Sequence, residues 1–204
     1  MARQLSFDLP SDPQLGRDDF LQTPANTVAL AMIENWRDWD KRKLALTGPK
    51  GAGKTHLTHI WAQSASATIL PAQDLPQADV LRVAARSVAV EDIDTIAGDD
   101  ASETALFHLH NLVLAEGHWL LLTGSGAPKS WPFALPDLKS RIEGTISVAL
   151  DPPDDALLAA VLAKLFADRQ LSPRPDVIAF LVTHMDRTLD AARHLVARID
   201  NAAL

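Results

Sequence analysis

The run Gly48-Pro49-Lys50-Gly51-Ala52-Gly53-Lys54-Thr55 matches GxxxxGK[ST], and few octapeptides constrain a fold more tightly. Its glycines permit backbone conformations that aim several N–H groups at one anion. A helix starting near Lys54 adds the partial positive charge of its N-terminus. Such a loop works at the junction of a buried strand and a helix, and both flanks fit: residues 43–47 (KLALT) are a short apolar run, and HLTHIWAQSA after the loop reads as a helix. The ligand this pattern calls for is a purine nucleotide with its Mg2+. Lys54 is expected on the β- and γ-phosphates and the Thr55 hydroxyl on the metal, with the other six loop residues and His56 lining the nucleotide.

Strand and helix signals alternate along the rest of the chain. Residues 24–39 look helical, with Asn26 or Thr27 as cap and Val28, Leu30, Met32, Ile33 and Trp36 near helical spacing. Strands are expected at 67–70, 87–91, 118–123 and 145–150, and an amphipathic helix at 101–116. This alternation predicts an α/β fold, a mostly parallel sheet with helices on both faces. Asp151-Pro152-Pro153 is a break, and beyond it only helical spacing occurs, at about 154–169, 173–184 and 188–203. The expected organisation is a tail at 1–17, an α/β nucleotide-binding domain at 18–150 and a three-helix domain at 151–204.

Composition narrows the function classes. With 204 residues and 47% hydrophobic content the chain is globular. No apolar run approaches the roughly 20 residues that span a bilayer, and the N-terminus lacks the apolar core of a secretory signal. Cysteine is absent, which excludes disulfides and thiolate metal sites and fits a cytoplasmic protein. His56 and His59, and likewise His108 and His110, read as ordinary helix residues and not as metal ligands. The net charge of −7 argues against a direct grip on DNA. The only basic cluster, Arg37 with Lys41-Arg42-Lys43, reads as a solvated loop, so any work on DNA is expected to pass through a partner.

Further residues complete a nucleotide site. Glu91 and Asp92 end the strand at 87–91. One carboxylate there is expected to hold Mg2+, directly or through water, and the other to polarise an attacking water. Thr123 and Ser125 close the strand at 118–123 and are expected near the γ-phosphate, in a sheet where this strand lies between the other two. Arg141 precedes the last strand. It suits either a surface ion pair or presentation to a neighbour's γ-phosphate, the latter contributing on the order of 10³ or more in rate.

Taken together, residues 48–63 (GPKGAGKTHLTHIWAQ), 90–98 (VEDIDTIAG), 120–131 (LLLTGSGAPKSW) and 137–155 (DLKSRIEGTISVALDPPDD) resemble motifs of the DnaA-type AAA+ ATPases. Residues 18–30 resemble the segment that opens that ATPase domain and lies near the adenine, which implies a place for Phe20 beside the base. The resemblance covers 18–204 and implies an AAA+ P-loop NTPase with a five-stranded parallel sheet and a three-helix lid. DnaA continues into a DNA-binding helix-turn-helix domain. A DnaA-like ATPase without that domain resembles the Hda-type regulators, which inactivate DnaA after initiation.

That second resemblance implies a mechanism in trans. Gln4-Leu5-Ser6-Phe7-Asp8-Leu9 looks like a peptide that binds the DNA polymerase III sliding clamp (its beta subunit), with Gln4, Leu5, Phe7 and Leu9 as anchors. DNA is met only through the clamp, at the replisome. The protein then pairs with ATP-bound DnaA, and Arg141 acts as an arginine finger in DnaA's site. The regulator itself holds ADP or ATP with Mg2+, and whether it forms a homo-oligomer is left open. Two departures follow. Glu91 stands where the family has Asp, so intrinsic ATPase is expected to be weak or absent. Asp190 stands where a lid sensor arginine is expected, flanked by Arg187 and Arg193: either Arg187 substitutes, or the small helical domain contacts the nucleotide weakly. Two other readings remain: a DnaA-like loader or adaptor that recruits a helicase or DnaA, and a small-molecule P-loop kinase.

Overall fold

The computed structural model describes residues 15–203. The anchors Gln4, Leu5, Phe7 and Leu9 lie outside them. In chain order the elements are α1 (Thr27–Glu34), β1 (Lys43–Thr47), α2 (Lys54–Ala65), β2 (Thr68–Pro71), α3 (Val80–Val83), β3 (Val88–Glu91), α4 (Asp100–Ala115), β4 (Leu120–Gly124), α5 (Pro136–Glu143), β5 (Ser147–Ala149), α6 (Asp155–Asp168), α7 (Pro175–His184) and α8 (Leu189–Ala203). No described helix is long and apolar enough to cross a membrane.

The five strands form one sheet in the order β2-β3-β4-β1-β5, and every pairing is parallel. Parallel neighbours need crossovers, and the helices supply them, so both faces are covered. Side chains alternate between the two faces. Along β4, Leu121 joins an apolar cluster with Leu30 and Ile33 of α1 and Leu57 and Trp61 of α2. Leu120 and Leu122 join another with Leu106 and Leu109 of α4 and Leu138 and Ile142 of α5. All residues of β1 and β4 are buried, so their ends are fixed platforms for the loops that follow. A third cluster, built on Leu158, Leu162, Phe166, Ala192 and Val196, gathers α6, α7 and α8.

Three features depart from the expectations. First, α1 stops at Glu34, and a 3-10 turn (Trp36–Asp38) replaces the predicted helical end at 39. The chain turns there because two tryptophans must be buried: Trp36 packs edge-on to Trp119, and Trp39 stacks on Trp61 while its indole N–H donates to the Met32 carbonyl. Second, α5 was not foreseen, although Pro136 at its start and Gly144 at its end are the usual boundary residues. Third, the basic cluster is not a uniformly solvated loop. Lys43 is buried, and Arg42 donates to the Leu114 carbonyl.

Candidate nucleotide-binding site

The phosphate loop leaves the C-terminal end of β1 and enters α2. Gly53 is the residue before that helix and has φ +104°, a conformation that glycine adopts without steric cost. Lys54 is buried, and its ammonium donates to the carbonyls of Gly48 (2.9 Å) and Pro49 (3.2 Å) within the curl of the loop. Pro49 and Lys50 are exposed, Gly48 and Ala52 are buried, and Thr55 is exposed at the first turn of α2.

Glu91 lies across from Thr55, at the end of β3. Burial pushes its carboxyl up, against the hydroxyls of Thr55 and Thr58, which pull it down. Its Oε1 is buried with no hydrogen-bond donor. Thr55 and Glu91 would hold Mg2+, which would give this oxygen the partner it lacks and favour the charged carboxylate, so the residues present fit the metal. The metal would there neutralise phosphate charge. Asp92 follows with φ +55° and an exposed side chain, and its N–H donates to the buried Thr123 hydroxyl at 3.0 Å. Thr123 therefore ties β4 to the acidic strand end. Ser125 is exposed, and its carbonyl accepts from the Trp131 indole N–H.

The N-terminal segment covers the start of α2. Phe20 and His56 are both buried and meet edge-to-face with centroids 5.1 Å apart, and His56 Nε2 pairs with the Gly16 carbonyl. Burial lowers the His56 pKa, and Arg193 lowers it further. The helices at the C-terminal end of the chain reach the same region. The N–H of Leu189 donates to the Gly51 carbonyl at 3.0 Å. Gly51 has φ +75°, and a Cβ there would lie 2.6 Å from the Thr188 Cβ, so only glycine fits under α8.

The two arginines that flank Asp190 differ. Arg187 turns to the segment before α6, where it pairs with Asp155 at 2.6 Å and approaches the Pro153 carbonyl. Arg193 lies one helical turn after Leu189, near His56, and pairs with Asp190. Sequence alone gives Arg193 no role beyond flanking Asp190. The available signal was its i+4 spacing from Leu189, which puts both on one face of α8. Asp94 was also missed. Its Oδ1 is buried without a donor, and a Cβ on Gly124 would lie 2.9 Å from it.

Arg141 is far from this loop. It lies in the last turn of α5, and its carbonyl accepts from the Nζ of Lys43, the first residue of β1. The phosphate loop follows the last residue of β1, and at about 3.3 Å per strand residue the two ends of β1 are roughly 13 Å apart. The guanidinium is held on its own chain: Nε donates to Asn111 Oδ1 (2.9 Å), Nη1 donates to the Asp137 carbonyl (3.1 Å), and the Cζ lies 4.6 Å from the Phe107 ring centroid. Among the described residues no carboxylate pairs with it.

No family model matches the sequence. Among solved structures, a replication initiator DnaA bound to AMPPCP and single-stranded DNA aligns over 95% of this chain and 66% of its own length, with a TM-score of 0.78 at 18% identity. AMPPCP-bound DnaA from Aquifex aeolicus aligns over 92% of this chain and 65% of its own, with a TM-score of 0.78 at 18% identity. Domain III of DnaA from Thermotoga maritima aligns over 91% and 87%, with a TM-score of 0.74 at 18% identity. The chain thus spans just under two thirds of the length of the first two. What it shares with them is the fold: a five-stranded parallel α/β sheet with appended helices.

Proposed function

We propose that this chain is a nucleotide-binding regulator of replication initiation that stimulates ATP hydrolysis by DnaA while bound to the DNA sliding clamp. The observation that carries the reading is the separation of its two chemical features. The loop at 48–55 with Glu91 suits a nucleotide and Mg2+ on one end of the sheet. Arg141 stands at the other end, beside Lys43, too far away to serve that nucleotide. Its guanidinium pairs with neutral groups, so its full charge remains available to an anion on another molecule.

The roles follow from this division. Residues 48–55, with Phe20, His56, Ser125 and Arg187 around them, hold ADP or ATP, and Thr55, Glu91 and Asp92 serve the metal. The helices of 151–204 close on the loop as a lid. Gln4, Leu5, Phe7 and Leu9 dock in the clamp. Arg141 enters the site of ATP-bound DnaA as a finger. Support comes from the DnaA-like fold, from the AMPPCP carried by DnaA structures of that fold, and from Glu91, whose longer side chain suits a grip better than an efficient hydrolytic site.

The test is hydrolysis of ATP preloaded on DnaA, with clamp on DNA, in the presence and absence of this protein. Faster hydrolysis that depends on clamp supports the reading, and changing Gln4, Leu5 and Phe7 to Ala should remove the clamp dependence. No acceleration by the wild-type chain overturns it. Retention of a helicase without need of clamp points instead to a loader.

A further inference from the structure

Lys43 is a buried lysine that makes no ion pair among the described residues, although the Asp40 carboxylate acts on it from a distance. It is 6% exposed, and among the described residues no carboxylate pairs with it. Its ammonium donates to the Arg141 carbonyl at 2.9 Å and faces His110 Nε2 at 3.3 Å. An ammonium has three N–H donors and accepts nothing, so His110 must present a lone pair at Nε2 and carry its proton on Nδ1. That Nδ1 lies 3.4 Å from Asn111 Oδ1, the oxygen that also accepts from Arg141 Nε. One chain of contacts therefore runs from Lys43 through His110 to Asn111 and the guanidinium, and a second runs from Lys43 directly to the Arg141 carbonyl.

This arrangement is an expensive way to fill the start of a central strand. An apolar residue packs there without desolvating a charge. The Arg141 carbonyl has a neutral donor already, since the Thr145 hydroxyl reaches it at 2.8 Å. The one thing that the cation adds is rigidity at both ends of the same arginine. The helix-terminal carbonyls of α5 are a favourable site for a cation, and β1, buried throughout and with a neighbouring strand on each side, is a firm anchor for it.

We infer that Lys43, acting with His110, is a positioning residue for Arg141: it locks the last turn of α5 to β1 and fixes the face that Asn111 offers to the guanidinium. This rests on the reading of Arg141 as a finger that acts on another molecule's nucleotide. Burial and the nearby ammonium keep His110 neutral, which is the form that the contact chain needs.

The experiment uses the full chain carrying Lys43→Met, which keeps length and packing, and His110→Phe as a second variant. Three readouts are taken: the order of the Arg141 Nε–H group by ¹⁵N relaxation, the His110 tautomer and titration by ¹⁵N NMR, and the stimulated hydrolysis of DnaA-bound ATP across a range of regulator concentrations. In wild type, His110 should be the Nδ1–H tautomer. Lys43→Met should raise the His110 pKa, make the Arg141 Nε–H mobile and lower the maximal stimulated rate about tenfold, with the half-saturating concentration and the chain's own ADP affinity unchanged. Lys43→Arg should recover part of the rate. An ordered Arg141 and full stimulation in Lys43→Met, under conditions where Arg141→Ala abolishes stimulation, overturns the inference. Lack of effect of Arg141→Ala itself overturns the finger reading, whatever Lys43→Met does. If Lys43→Met is too unstable to assay, His110→Phe takes its place, and normal Arg141 order and rate there count against the contact chain.

Discussion

The N–H of Leu189 donates to the carbonyl of Gly51 at 3.0 Å, so the first turn of α8 rests on the phosphate loop. The contact joins residues 138 positions apart in sequence and seats the start of α8 on the loop. Its tightness gives a direct prediction. Gly51→Ala places a methyl 2.6 Å from the Thr188 Cβ and forces φ +75° on a residue with a Cβ. Nucleotide affinity, measured by calorimetry with ADP and Mg2+, should fall at least tenfold. Thr188→Gly should restore the steric part of the loss and leave the backbone part, about 1–2 kcal/mol. Full affinity in Gly51→Ala would show that α8 does not sit on the loop in solution.

Glu91 predicts how pH acts on the metal. Burial raises its folded pKa, so protonation competes with Mg2+ at a higher pH than for a free glutamate. Mg2+-dependent nucleotide affinity should therefore weaken as pH falls through that raised pKa and level off above it. Metal-free stability has the opposite sign: the contribution of protonated Glu91 is full below the unfolded pKa and is lost as pH rises through the folded one. Glu91→Gln should flatten both dependences. Titrations at several pH values check this, and an unchanged pH profile in Glu91→Gln would remove Glu91 from the metal site.

His110 dominates a different pH window. Burial first, and then the charge of Lys43, lower its pKa from 6.5 to about 4. The folded protein thus binds fewer protons than the unfolded chain between those values. Stability is full above pH 6.5 and is lost as pH falls toward 4, by on the order of 3 kcal/mol in total. Urea unfolding of wild type and His110→Gln between pH 7 and 4 tests this. The variant should lose most of the slope, and equal slopes would contradict the burial of a neutral His110.

Glu103 is a structural prediction. It is 1% exposed and accepts from the N–H groups of Gly98 (2.6 Å), Ala134 (3.0 Å) and Leu135 (2.7 Å). Burial pushes its carboxyl up, but the three amides outweigh this and hold it below the usual range. Its contribution is present above the unfolded pKa and is lost as pH falls through the depressed one. Glu103→Gln keeps the shape but turns an amide NH2 toward backbone donors, so it should cost about 2–3 kcal/mol in denaturant unfolding. A loss under 0.5 kcal/mol, no more than an ordinary surface change, would mean that these amides find other acceptors.

Legibility in the sequence divided along physical lines. The strand before the phosphate loop and the helix after it could be read because local pattern decides them: KLALT is buried on both faces, and Gly53 marks the helix start. The parallel α/β sheet followed from alternation alone. By contrast, α5 was missed because only Leu138 and Ile142 are buried in its eight residues, too few for a periodic signal. The end of α1 was misjudged because Trp36 and Trp39 continue the apolar spacing, while their burial partners Trp119 and Trp61 are distant in sequence. Lys43 was read as solvated for a similar reason. Its acceptors, His110 and the Arg141 carbonyl, come from α4 and α5. At the candidate site, motif alone singles out Lys54, Thr55 and Glu91. Arg193 and the seat of Thr188 on Gly51 depend on how α8 docks, which no local pattern encodes.

The central claim is that the chain's own nucleotide site is a grip and that Arg141 acts on another molecule. Single-turnover hydrolysis of ATP preloaded on DnaA, with clamp on DNA and either wild type or Arg141→Ala, tests it most directly. Wild type should accelerate hydrolysis on the order of 10³-fold, the scale of an arginine finger. Arg141→Ala should lose nearly all of that while it binds ADP with unchanged affinity. Equal acceleration by Arg141→Ala and wild type would contradict the account.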